Sequence, residues 1–262
     1  MDIIRAIILG VVQGLTEFLP VSSSAHLIIA EKLLGFRGEG ILFEILLHCA
    51  TMLSVIIYFH KKIKELCLGV LGIININYRV PYYENKKMIW GVIVGTIPTA
   101  IIGYFFNDHI DKIFNNITLV GYSLIFTSLI LMISDFFKPT GKLSLLKALT
   151  IGISQGLSVI PGISRSGITI STSVMLNIKR KEAVEFSFLL SIPSILGALI
   201  LKFSETNVIA GPVLGYYLVS AFIAFFVGLI SIYIVVKMAV CAKFKYFALY
   251  CLLIGIGSVI CF

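Results

Sequence analysis

Gln13-Gly14-Leu15-Thr16-Glu17-Phe18-Leu19-Pro20-Val21-Ser22-Ser23-Ser24-Ala25-His26 interrupts an apolar run with a carboxylate, a proline, three serines and an imidazole. Residues 3–19 read as helix, but proline has no amide hydrogen for the helical ladder and disfavours helix at Leu19. A second apolar stretch follows over 27–34, with Ser22 as its expected N-cap. The same plan returns later in the chain. Gly10-Val11-Val12-Gln13-Gly14-Leu15 recurs as Gly152-Ile153-Ser154-Gln155-Gly156-Leu157, and the proline-serine break recurs as Pro161-Gly162-Ile163-Ser164-Arg165-Ser166. There the sequence predicts helix to about residue 160, a break at Pro161-Gly162, Ser164 as N-cap and helix again to about residue 177. Phe43, Leu46, Leu47 and Leu53 match Phe186, Leu189, Leu190 and Leu196 at one constant offset. The copies cover about 1–135 and 143–262 of a single membrane domain over 1–262.

Composition explains why such breaks matter. The chain is 58% hydrophobic and 13% charged, with a mean hydropathy of +1.03, whereas soluble domains run near a quarter charged. Six stretches approach the length that crosses a bilayer: 41–59, 88–106, 117–134, 183–201, 213–236 and 246–262. The first residues lack the basic region and cleavage site of a signal peptide, so no cleavage is expected. The net charge of +8 suits membrane topology better than nucleic acid. Cys49, Cys67, Cys241, Cys251 and Cys261 stand singly without metal-ligand spacing and read as small hydrophobes.

Each copy holds one interrupted segment and three spans. If the interrupted segment turns back on itself, three spans reverse the chain, and the second half sits upside down relative to the first. The expectation is an all-α polytopic membrane protein with six transmembrane helices and two re-entrant helical hairpins in an inverted-topology repeat, binding at the discontinuous helices. The positive-inside rule agrees. With the loop after Phe59 in the cytoplasm, that side holds Lys61, Lys62, Lys64, Arg79, Lys86, Lys87, Lys138, Lys142, Lys147, Lys179, Arg180, Lys181, Lys237, Lys243 and Lys245. The outer side holds Arg5, Lys32, Arg37, Lys112 and Lys202, with Arg165 left inside the membrane. Both termini and the active site then face outward.

Non-helical backbone at membrane depth survives where protein or a water-filled cavity satisfies it. Two helix N-termini would point into one cavity, and their amides favour an anion, above all a phosphate. Gln13 and Glu17 share a helix face, as do Ser22, Ser23 and His26, and as do Arg165 and Thr169. Ionisable groups at such depth are costly and functional by default. Arg165 offers a planar fork for phosphate oxygens. Glu17 can hold a metal or accept a proton, His26 can act as acid or base, and Ser23 can attack phosphorus. Blander readings stand beside these. Serines in membrane helices, Ser24 foremost, also bond backbone carbonyls; His26 could pack; Glu17 and Arg165 could form a structural ion pair. His48, mid-span with no acidic partner nearby, reads as structural. His60 and His109 read as interfacial, and Asp108 and Asp111 as solvated charges in a short outer loop.

At Gln13–His26 and at Pro161-Gly162-Ile163-Ser164-Arg165-Ser166-Gly167-Ile168-Thr169 the sequence closely resembles the undecaprenyl-diphosphatase family, bacterial membrane enzymes associated with bacitracin resistance. The first stretch fits the family's Glu-or-Gln, three residues, Glu pattern, and the second its Pro-Gly-x-Ser-Arg-Ser-x-x-Thr pattern. The likeness runs the whole chain, including Gly95-Thr96-Ile97-Pro98. It implies hydrolysis of undecaprenyl diphosphate to undecaprenyl phosphate and phosphate, recycling the lipid carrier of peptidoglycan synthesis on the outer side of the cytoplasmic membrane. It also implies a divalent cation, Mg2+ or Ca2+, near Glu17, held largely by substrate oxygens and water. Catalytic roles carry onto Glu17, Ser23, His26 and Arg165, with Gln13, Ser22, Ser24, Ser164, Ser166 and Thr169 as substrate-binding candidates. Gln13 stands where many members carry an acid, and Ala25 where glycine is common. A transporter or flippase for an anionic lipid and a non-catalytic scaffold are the rival classes; an added flipping activity and a homodimer stay open. Nucleic acid is not an expected partner.

Overall fold

The structure is a computed structural model that describes residues 2–35, 41–114, 116–204 and 213–261, with side chains except at 41, 107–114 and 203–204. The described residues are helical apart from short connections and one isolated backbone bridge between Gly141 and Ile178. In the first half α1 (Ile3–Thr16), α2 (Ser23–Leu33), α3 (Ile41–Tyr58), α4 (His60–Leu71), α5 (Arg79–Phe114) and α6 (Ile117–Asp135) follow one another. In the second come α7 (Leu145–Leu157), α8 (Arg165–Met175), α9 (Arg180–Ser204), α10 (Leu214–Val240) and α11 (Phe244–Cys261).

Five of these, α5, α6, α9, α10 and α11, are long and apolar enough to cross a membrane, and α3 with α4 passes the same test as a pair bent by 80°. Their outward faces carry Ile101, Phe105, Leu129, Phe222, Ile230 and Leu253, all exposed, as lipid contact requires. The chain is thus an all-helical, polytopic membrane protein. Three local expectations change. Residues 60–71 form a helix where a basic loop is expected, because apolar Ile63, Leu66 and Val70 recur at helical spacing among the lysines. Backbone 107–114 continues α5, where a loop is expected. Helices α1 and α7 end three residues before the places predicted, at Thr16 and Leu157; after α7, Ser158, Val159 and Ile160 each bond back three residues instead of four. Arg37 lies outside the described residues, as do the side chains of Asp108, His109, Asp111 and Lys112.

The repeated glycines explain themselves at helix crossings. Helix α1 packs on α10 and α7 packs on α5. A Cβ built on Gly10 would stand 2.5 Å from the Ser220 carbonyl oxygen, and one on Gly152 would collide with the Gly95 carbonyl. Gly14 and Gly156, four residues on, meet Ala224 and Ile102 with as little room. Close approach through small residues is the usual way helices associate in lipid, where no hydrophobic force drives them together. Buried hydroxyls then tie the same crossings: Ser220 Oγ donates to Ala6 O at 2.5 Å and Thr99 Oγ1 to Gly152 O at 2.9 Å. Further pairings follow the same exchange, α3 on α10 and α9 on α5, while α3 meets α9 and α6 meets α11. Each half therefore builds its partner's packing, and the two breaks end up side by side.

Candidate active site

Each break turns the chain differently. After α1, Val21 N–H bonds back to Leu19 O at 2.7 Å, and Ser22 takes a positive φ of 70° before α2 begins. Ser22 occupies the N-cap position, yet its hydroxyl makes no capping bond and pairs with Ser24 Oγ at 3.1 Å. After α7, Pro161 and Gly162 form the centre of a turn closed by Ile163 N–H to Ile160 O at 3.1 Å. Gly162, with φ of 96°, supplies the conformation that such a turn demands. Ser164 then caps α8 as expected, its Oγ accepting from Gly167 N–H at 3.1 Å. Buried Thr127 of α6 clasps this turn, donating to Gly162 O at 2.9 Å and accepting from Ser164 N–H at 3.1 Å.

The breaks touch. Ser166 Oγ donates to Leu19 O at 3.4 Å across 147 positions of sequence. Glu17, at the end of α1, gathers the rest. Its Oε2 accepts from Ser23 Oγ at 2.6 Å and from Gln13 Nε2 at 3.1 Å, and its Oε1 faces Arg165 Nη1 at 3.4 Å. Its side chain is 6% exposed, so the charge depends on these partners. Glu17 and Arg165 line a small recess together with Phe18, Ser166, Ser187, Phe188, Ser191 and Ile195. A buried carboxylate that takes a serine proton while facing a guanidinium is the arrangement of an activated nucleophile beside an anion clamp.

The remaining candidates divide. Thr169 turns inward: its Oγ1 donates to Arg165 O at 2.7 Å and lies 2.5 Å from Ser187 Oγ, which steadies the Arg165 turn from behind. His26 does not bond to Ser23 or Glu17. Its Nδ1 is 2.8 Å from the Ser22 carbonyl, which can only accept, so Nδ1 carries the hydrogen. Its Nε2 then accepts from Tyr250 OH at 2.9 Å. His48, read from sequence as lacking an acidic partner, has one: its Nε2 lies 3.7 Å from Glu17 Oε2, while Nδ1 donates to Glu44 O at 2.9 Å. The partner sits on another helix, which residue spacing along α3 does not reveal. Ser187 and Ser191 of α9 were also missed; Ser191 stands at the repeat offset from His48, the one signal that could have found it.

The donor set fits a divalent cation beside Glu17. Gln13 Oε1 is buried with no hydrogen-bond partner among the described residues, and it belongs to the amide that already bonds Glu17. Amide and carboxylate oxygens suit Mg2+ or Ca2+. Among the described residues no group of three or more His, Cys, Asp or Glu side chains could hold a metal by itself.

Comparison with known proteins bears on this geometry. Residues 6–257 match the family described as Bacitracin resistance protein BacA. The chain is 44% identical to an undecaprenyl-diphosphatase of Treponema denticola, over 100% of this chain and 98% of that protein. It is 38% identical to one of Christiangramia forsetii, over 99% and 98%. An undecaprenyl-diphosphatase 2 of Bacillus thuringiensis is 37% identical over 98% of this chain and 97% of its own length.

Proposed function

The chain belongs to the Bacitracin resistance protein BacA family, and from that premise we infer that it is an undecaprenyl-diphosphatase. It hydrolyses undecaprenyl diphosphate to undecaprenyl phosphate and inorganic phosphate, recycling the lipid carrier of peptidoglycan synthesis and conferring bacitracin resistance. The observation that carries the mechanism is the Ser23 Oγ bond to Glu17 Oε2 at 2.6 Å, with Arg165 on the other carboxylate oxygen.

Arg165 swings its fork from Glu17 to the terminal phosphoryl oxygens and neutralises their charge. Ser23 Oγ attacks the terminal phosphorus, its proton passes to Glu17, and the bond to undecaprenyl phosphate breaks. Water then attacks the phosphoserine, phosphate leaves, and Glu17 returns its proton to Ser23. His26, one turn along α2, carries the proton that water gives up. Glu17 and Gln13 Oε1 would hold a divalent cation, which would supply further charge neutralisation for the diphosphate. Ser23, and not a water ordered by it, is the nucleophile in this reading because its proton already points at a base.

The finer architecture belongs to the same reading. Six spans, with α3 as the sixth, and two re-entrant pairs, α1–α2 and α7–α8, make an inverted repeat whose halves are about 1–135 and 143–262. Support comes from the reciprocal helix pairings and from the equal lengths of α2 and α8, each 11 residues. The lysine distribution supports an outward-facing site with both termini outside. Purified protein in detergent, given a polyprenyl diphosphate and quenched in acid, should yield phosphate linked to Ser23. Full turnover by Ser23→Ala would remove Ser23 as nucleophile.

A further inference from the structure

We propose that Tyr250 is a positioning residue of the reaction: from α11 it fixes the tautomer and orientation of His26 and so registers the nucleophile-bearing helix α2 against the second half. The proposal rests on the reading above that His26 takes part in catalysis. Tyr250 OH lies 2.9 Å from His26 Nε2, and the two rings stack with centroids 5.5 Å apart and planes 12° from parallel. The Ser22 carbonyl holds the other nitrogen. With both ring nitrogens engaged, the imidazole has one orientation and one tautomer, Nδ1–H, leaving Nε2 as the acceptor.

The neighbouring residue acts on the same segment. Cys251 Sγ, buried on α11, donates to the Pro20 carbonyl at 3.6 Å. Two successive residues of α11 therefore grip the first break on either side of Ser22, Cys251 at Pro20 and Tyr250 at His26. That segment needs a grip. Ser22 sits at a positive φ without making a capping bond, and Ala25 and Leu27 are the buried residues of α2. A strained turn persists where its surroundings over-determine it. Tyr250 is 42% exposed, so packing alone does not account for its placement against a histidine 224 positions away.

Tyr250→Phe keeps the stack and removes the hydrogen bond, whereas Tyr250→Leu removes both. On a polyprenyl diphosphate in detergent, Tyr250→Phe should lower kcat about tenfold and leave KM within about twofold, since the bond serves geometry of the reacting groups and not affinity. In a His26→Gln background the same change should cost less than about twofold, because residues acting as one unit are not additive. Imidazole ¹⁵N NMR, with the His26 signal identified by its loss in His26→Gln, should show the Nδ1–H pattern in the parent and an averaged pattern in Tyr250→Phe. An unchanged kcat in Tyr250→Phe, equal losses in both backgrounds, or an unaltered His26 pattern overturns the proposal. Full activity of His26→Gln overturns the earlier reading of His26 instead. The NMR comparison decides even where Tyr250→Leu fails to fold.

Discussion

Helices α2 and α8 stand at matching places in the repeat, with Ser23 and Arg165 as their first residues, yet the protein holds them in opposite ways. In α8, eight of 11 residues are buried, its N-cap bond is made, a glycine supplies the positive φ, and Thr127 clasps the turn. In α2 two residues are buried, the cap is unmade, and a serine bears the positive φ. In the proposed mechanism the anchored copy presents Arg165 to phosphate and the less buried copy presents Ser23 as nucleophile. A clamp gains from rigidity, because charge stabilisation depends on preorganised groups. In that reading, a nucleophile that must approach phosphorus, become phosphorylated and be released gains from a helix with few buried residues, anchored at its turn by Tyr250 and Cys251.

Substitutions can break or sharpen this contrast. The largest effect should come from the two first residues themselves. Ser23→Ala or Arg165→Ala should lower kcat/KM by about a thousandfold or more, with folded yield retained for Ser23→Ala. Next comes the turn that carries α8. Gly162→Ala must place a Cβ 2.5 Å from Ser123 Cβ and 2.6 Å from Val120 O at a φ of 96°. A loss of about 3 kcal/mol or more in stability is expected, read as a collapse of the detergent melting temperature. A smaller difference should separate the caps. Ser164→Ala should cost about 1 kcal/mol, whereas Ser22→Ala, which loses no capping bond, should cost less than about half of that. Opposite in sign, Ser22→Gly should relieve the strained φ and raise stability by roughly a few tenths of a kcal/mol while slowing turnover. Equal responses of Ser22 and Ser164 to alanine would erase the asymmetry.

Part of this was legible beforehand because proline breaks and a recurring glycine motif can be read directly along the chain. Pro20 and Pro161 marked where helices end, and the Gly10–Gly14 and Gly152–Gly156 pairs recurred because each lets one helix lie close on another. The meeting of Glu17 with Arg165 followed from the cost of isolated charge in lipid. What stayed hidden depends on contacts between distant segments. His48 and Glu17 lie on different helices, 31 positions apart, and no spacing rule links them. Tyr250 belongs to no motif that its sequence neighbourhood carries. Ser22 kept its N-cap position but lost the bond, because capping depends on a backbone angle that serine's presence does not set. Helix 60–71 was masked by its lysines, which the charge rule reads before the apolar periodicity.

The most direct measurement is a structure of the protein with a non-hydrolysable polyprenyl diphosphate analogue. The account predicts Ser23 Oγ about 3–3.5 Å from the terminal phosphorus, in line with the bond to be broken, and Arg165 bonded to oxygens of that same phosphoryl group. A headgroup held by Arg165 with Ser23 out of reach, or bound away from the recess between the two breaks, would contradict it.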